Sequence, residues 1–173
     1  MALTFEATVG SASATSYLTT AEADDYFSAR YGAEAWTSLA TAADKEKALM
    51  AATARLELEE YVGGPTFVDQ RLKWPRFPVE DDAGRLIDNE TIPRHVKEAC
   101  AELALYLVQQ NAAGTDPNAA TGLEPFSALS LGPISLTLRD APPSAGAMPT
   151  IVLRALGRYR VGGGGFTTFE RTS

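Results

Sequence analysis

The sequence predicts a mainly α fold: a small helical bundle of three to four helices, with a β-hairpin or extended β arm and flexible terminal segments. Three observations carry this. Val96, Ala99, Cys100, Leu103, Leu107 and Val108 recur at helical spacing behind Pro93, a residue suited to a first helical turn. Thr19 and Thr41 each stand three residues before an acid, Glu22 and Asp44, as N-caps do. Leu129 to Leu131 and Ile134 to Leu138 alternate apolar with polar residues around Gly132-Pro133, the mark of a strand pair or a bent strand.

In chain order, residues 1–16 are small, polar and rich in Ser, Thr and Ala, and read as an extended N-terminal arm. A first helix opens at Thr19 and runs to about Arg30, with Ala23, Tyr26, Phe27 and Arg30 along one side and Gly32 as its stop. Ala33 to Leu39 form a short helix with Trp36 and Leu39 inward. A second long helix starts at Thr41, buries Ala48 to Leu56, and ends at Gly63-Gly64-Pro65. Residues 66–90 are irregular. Pro75 and Pro78 hold Trp74 and Phe77 extended, and Gly84 closes a turn over 80–85. The helix after Pro93 reaches about Gln110. Residues 111–127, roughly 17 in number, exceed an ordinary connection and read as a contact element or a mobile loop. Pro149 to Tyr159 form a last helix. Gly162 to Gly165 then joint a short tail, so the bundle domain spans 17–161, with its β element near 129–138, and the tail spans 162–173.

The chain has 173 residues and a net charge of −7, against the basic face of a dedicated nucleic-acid binder. The charge is uneven. Residues 1–61 hold ten acids and four bases, for −6, while residues 149–173 hold four arginines and one glutamate, for +3. Opposite ends of that kind either attract in a head-to-tail or ring assembly or are an ordinary solvated surface; on the first reading Arg154, Arg158 and Arg160 are candidate subunit or partner contacts. Cys100 is the single cysteine, which leaves no intrachain disulfide and fits a reducing compartment. No secretory signal is expected in residues 1–18, and no apolar run approaches the roughly 20 residues of a membrane helix.

Catalytic and metal chemistry find little support, and no cofactor is expected. His95 is the single histidine and sits five residues from Cys100 on one helix, so the two side chains point apart. The acids Glu80, Asp81, Asp82, Asp88 and Glu90 lack the spacing of a calcium loop. Gly162 to Gly165 has no Lys-Ser/Thr after it and is a joint, not a phosphate loop. Arg71, Lys73 and Arg76 around Trp74 could stack on single-stranded nucleic acid. The competing reading puts Trp74 in the core with the charged residues outward, as the alternation of Leu72 and Trp74 with Arg71 and Lys73 suggests.

Five pieces in order carry a resemblance: Thr19 to Phe27; Gln70, Leu72, Trp74, Pro75 and Arg76; Ile92-Pro93 through Val96-Lys97, Ala99 and Glu102 to Ala104; Leu131 to Leu136; and the late glycine run. Together, over about residues 10–166, they are similar to the head–tail connector (adaptor) proteins of long-tailed bacteriophages, a family often labelled DnaT-like single-stranded DNA-binding. The resemblance implies a structural virion protein and no enzyme. It implies a ring, typically twelvefold, beneath the portal protein, extending the DNA channel and docking a tail-side stopper or tail terminator. Such a subunit is assembled in the host cytoplasm and resides in the phage neck. Gln70, Leu72, Trp74, Pro75 and Arg76 are then a structural brace, and Val96, Cys100, Leu103 and Leu107 the central helix core. Leu131, Ile134 and Leu136 lie in a β element able to pair with a neighbour, and Phe166 joins them as a candidate interface residue. The alternatives are a single-stranded DNA-binding protein and, less favoured, a small hydrolase around His95.

Overall fold

The computed structural model describes residues 4–81, 83–113, 128–131, 134–137 and 148–161. Local sequence sets the first helices. Thr19 caps α1 (Thr20–Ser28) reciprocally: its hydroxyl accepts the Glu22 N–H at 3.2 Å, and the Glu22 carboxylate accepts the Thr19 N–H at 2.7 Å. Gly32, at φ +79°, turns the chain into the one-turn helix α2 (Glu34–Thr37). There Trp36 is buried against Phe27 and donates its indole N–H to Asp24 at 2.8 Å. Thr41 caps α3 (Ala42–Leu56) by accepting the Asp44 N–H.

The expected end of α3 at Gly63-Gly64-Pro65 is corrected. The helix stops at Leu56, where the Leu56 carbonyl accepts both the Tyr61 hydroxyl and the Glu59 N–H. The glycines serve a two-stranded antiparallel ribbon, β1 (Gly64–Pro65) with β2 (Arg76–Phe77). Gly63 has φ +70°, and a Cβ there would stand 2.8 Å from the Pro78 carbonyl oxygen, so the ribbon closes only around glycine. The peptide bonds before Pro75 and Pro78 are cis.

The helix after Pro93 is α4 (Arg94–Ala112). The amphipathic stripe read from sequence understates its burial, since every residue from Ala99 to Leu105 is buried. Small residues at 99, 101 and 104 let neighbours approach on more than one side, which makes α4 the axis of the bundle. The long helix α3 and α5 (Thr150–Leu156) pack along it, and α1 and α2 lean on it as well. Helix α5 is shorter than the expected span from Pro149 to Tyr159. The chain after it pairs back instead, with the Val62 N–H on the Tyr159 carbonyl and the Val161 N–H on the Glu60 carbonyl. The expected β element is a hairpin, β3 (Ala128–Leu131) with β4 (Ile134–Thr137), whose register pairs Leu129 with Leu136 and Leu131 with Ile134.

Residues 4–16, expected as an extended arm, fold back on themselves. The Glu6 carbonyl accepts the N–H groups of Thr15 and Ser16, and the Thr15 hydroxyl donates to the Thr4 carbonyl. Ala14 to Leu18 are buried against the bundle. The tip fits because Gly10 has no Cβ: one would stand 2.5 Å from the Phe67 ring. Of the loop expected over 111–127, Asn111 and Ala112 belong to α4 instead; residues 114–127 and the tail at 162–173, with Phe166, lie outside the described residues.

Candidate functional site

The segment from Gln70 to Arg76 is held from several directions at once. The Gln70 side chain spans its own loop, donating to the carbonyls of Leu72 (2.6 Å) and Pro75 (3.1 Å) and accepting the Phe67 N–H (2.9 Å). Glu57, at the end of α3, receives the Lys73 N–H on both carboxylate oxygens at 2.9 and 3.1 Å, together with the hydroxyl of buried Tyr17. Burial and that carboxylate push the Tyr17 phenol far above its ordinary range, so it stays a neutral donor. One acid therefore ties the N-terminal loop, α3 and this segment together.

Trp74 is 1% exposed. Its ring stands edge-on to Tyr61 and Tyr159, each 5.5 Å away between centroids. Arg76 is 9% exposed. Its guanidinium donates to the carbonyls of Val62 (2.8 Å), Tyr61 (3.1 Å), Lys73 (3.2 Å) and Gly63. The Lys73 ammonium donates to the Glu59 carbonyl at 2.7 Å. The expectation that the charged residues around Trp74 turn outward is thus corrected for Lys73 and Arg76: both fold onto backbone carbonyls, and Arg71 alone of the three is exposed. A guanidinium offers five donors in a plane, which suits a set of converging carbonyls better than any other side chain.

Val96, Cys100 and Leu103 are fully buried in α4, and Leu107 nearly so. The Cys100 thiol lies 3.3 Å from the Thr53 hydroxyl, and burial pushes it up to about 12. His95 faces Glu98, with Nδ1 3.1 Å from the carboxylate. The Cys100 thiol is therefore sealed in the core, while half-buried His95 pairs with Glu98. Asp81 closes its turn by accepting the N–H groups of Ala83 and Arg85 and pairing with the Arg85 side chain.

Of the candidate interface residues, Arg160 pairs with Glu59 of its own chain, Nε to Oε2 at 2.6 Å, while Arg154 is exposed in the last turn of α5. Leu131, Ile134 and Leu136 take their places in the hairpin register. Residues that sequence reasoning missed as structural hubs are Glu57 and Glu102. Glu102 is 5% exposed on α4 and accepts from the Tyr26 hydroxyl (2.7 Å) and twice from Arg30 (2.5 and 2.8 Å), joining α1 to α4. An acid inside the apolar run from Ala99 to Leu105, with Tyr26 on α1 and Arg30 just past its end, was the available signal.

No match was found among curated proteins or among solved structures. The family model described as "Putative DnaT-like ssDNA binding protein" matches residues 1–171, and the chain belongs to that family.

Proposed function

We propose that this chain is a structural assembly subunit of the head–tail connector type: it builds a ring on a portal protein, lines a DNA passage without gripping DNA, and docks a tail-side partner. The observation that carries this reading is the use of the Gln70–Arg76 segment. Its aromatic ring and two of its three cations, the groups a base-stacking site needs at the surface, face inward as a brace. A chain with net charge −7 and that brace suits a wall along which phosphate slides. The β3–β4 hairpin adds support. A two-stranded ribbon is marginal in water, and pairing with a neighbour would stabilise this one. The ordered motifs described above supply the portal and the phage neck as its setting.

A second reading, a single-stranded DNA-binding protein, is favoured by the family's description. Exposed Arg71 and Arg154 are the cations it would use.

One experiment separates the two. The chain is co-expressed with a portal protein of a long-tailed phage and examined by size exclusion and electron microscopy, and a labelled oligonucleotide is titrated in parallel at low and moderate salt. The connector reading expects a ring of this chain on the portal and no salt-sensitive DNA affinity. Tight oligonucleotide binding that falls steeply with salt, with no portal complex, overturns it in favour of the second reading.

A further inference from the structure

Between α1 and the first turns of α4 lies a cleft of about 170 Å3. Buried Leu18 and Ala101 form its floor and the Tyr26 ring one wall. It is smaller than the roughly 300–1,000 Å3 of small-molecule sites, so it has room for one large side chain. Its rim is charged. Lys97 reaches Glu22 at 2.5 Å, and Arg94, 78% exposed, reaches Glu98 at 3.4 Å. The first turn of α4 carries no acid, and Pro93 offers no side-chain cap, so the positive end of the helix dipole adds to Arg94 on this side. An aromatic side chain followed by a carboxylate fits that combination.

We propose that the cleft seats the C-terminal tail of a second copy of this chain, with Phe169 in the cleft and Glu170 against Arg94. The inference rests on the self-assembly in the reading above. Twelve residues follow Val161, four glycines and then Phe-Thr-Thr-Phe-Glu-Arg-Thr-Ser. Extended, they reach about 40 Å, enough to cross to an adjacent copy. The tail departs beside Glu60, beyond the end of α3, whereas the cleft belongs to α1 and the start of α4. Glu170 is the one acidic side chain in residues 162–173, so it is the group that Arg94 and the positive end of α4 would draw.

The test titrates a labelled peptide spanning residues 162–173 into the full chain and follows self-association by sedimentation. The peptide binds, and the Phe169→Ala peptide binds about tenfold more weakly or worse, as expected for losing one buried aromatic side chain. Arg94→Glu, a surface change that leaves the circular dichroism unaltered, weakens binding, and a Glu170→Arg peptide recovers part of the loss on that variant. The chain self-associates with rising concentration, and excess peptide reverses it. A peptide that fails to bind, or binds regardless of Phe169 and Arg94, overturns the proposal. Peptide binding by a chain that stays monomeric at every concentration places the tail in its own cleft and also overturns it. Rings on the portal that ignore the tail variants leave the connector reading standing and remove this one. Tail-dependent self-association without portal binding does the reverse.

Discussion

Replacing Arg76 with methionine tests the brace directly. Methionine keeps most of the aliphatic length and removes every donor. Four carbonyls then lose the guanidinium: those of Tyr61, Val62, Gly63 and Lys73. Bonds to a charged donor contribute about 1.5–3 kcal/mol each at most, but not all four are lost in full. Val62 and Lys73 are half-buried and Gly63 is exposed, so water replaces part of the bonding there, whereas Tyr61 is buried. Burial also pulls the Arg76 guanidinium below its usual range, and the variant recovers that desolvation. The net expectation is a loss of about 2–4 kcal/mol. Urea unfolding should show this as a lower midpoint with an unchanged slope. A 3 kcal/mol loss corresponds to a melting temperature lower by about 6–12 °C for a chain of this size. Arg76→Lys should fall between the two, since a single ammonium satisfies fewer diverging carbonyls. A loss below about 1 kcal/mol for Arg76→Met would refute the brace and class the arginine with ordinary surface charges.

Three further outcomes follow from the same geometry. The Cys100 thiol, buried and pushed up to about 12, should resist thiol reagents at pH 8 in the folded protein and react only as denaturant opens the core; prompt labelling of native protein would contradict its place. Glu102→Leu alone should destabilise by about 3 kcal/mol, because Arg30 and Tyr26 lose their common acceptor, while adding Arg30→Met should cost less than the two single changes summed, measured by a double-mutant cycle. The Asp81 carboxyl is held at about 2 by the Arg85 side chain and by the N–H groups of Arg85 and Ala83. Because the folded value lies below the ordinary 3.8, the turn keeps these bonds in full above about pH 4 and loses them as the pH falls through about 2, which amide chemical shifts of Ala83 and Arg85 would report.

What could be read from the sequence was local. Thr19 and Glu22 are three residues apart and define a helix start by themselves. The repeat from Val96 to Leu107 defines a buried helix, and the alternation from Leu129 to Leu138 a strand pair or a bent strand, of which the structure has the strand pair. The misreadings share a different origin. Gly63-Gly64-Pro65 has the form of a helix stop, yet α3 ends at Leu56, because Tyr61 folds back onto the Leu56 carbonyl and the glycines are needed beside Pro78. Lys73 read as solvent-facing because strand alternation sets it opposite Leu72 and Trp74, and Arg76 because it is charged; apart from the Lys73 carbonyl beside Arg76, the carbonyls they meet belong to residues 59–63, across a turn that no spacing rule specifies. The Arg160–Glu59 pair joins positions about a hundred residues apart. Candidate interface arginines were therefore chosen by net charge, and one of them proves to be satisfied inside its own chain.

The position of Trp74 also allows an energetic comparison of the two functional readings. Stacking one base on an aromatic side chain contributes about 1–3 kcal/mol. Releasing Trp74 from between Tyr61 and Tyr159 forfeits packing whose loss, on truncation of a buried tryptophan, costs about 3–5 kcal/mol, and it disturbs the Arg76 carbonyl cluster as well. Stacking on Trp74 therefore does not offset its own release. Trp36, the other tryptophan, is fully buried and bonded to Asp24, so it offers no platform either. The expected outcome is that the tryptophan emission, typical of an apolar interior, stays unquenched and unshifted when a saturating oligonucleotide is added at low salt. Quenching that disappears in Trp74→Phe, with the fold intact by circular dichroism, would show that the segment opens to bind bases and that the brace is one state of a switch. Unquenched emission together with measurable oligonucleotide affinity would move any DNA contact to the exposed arginines and leave Trp74 to the architecture.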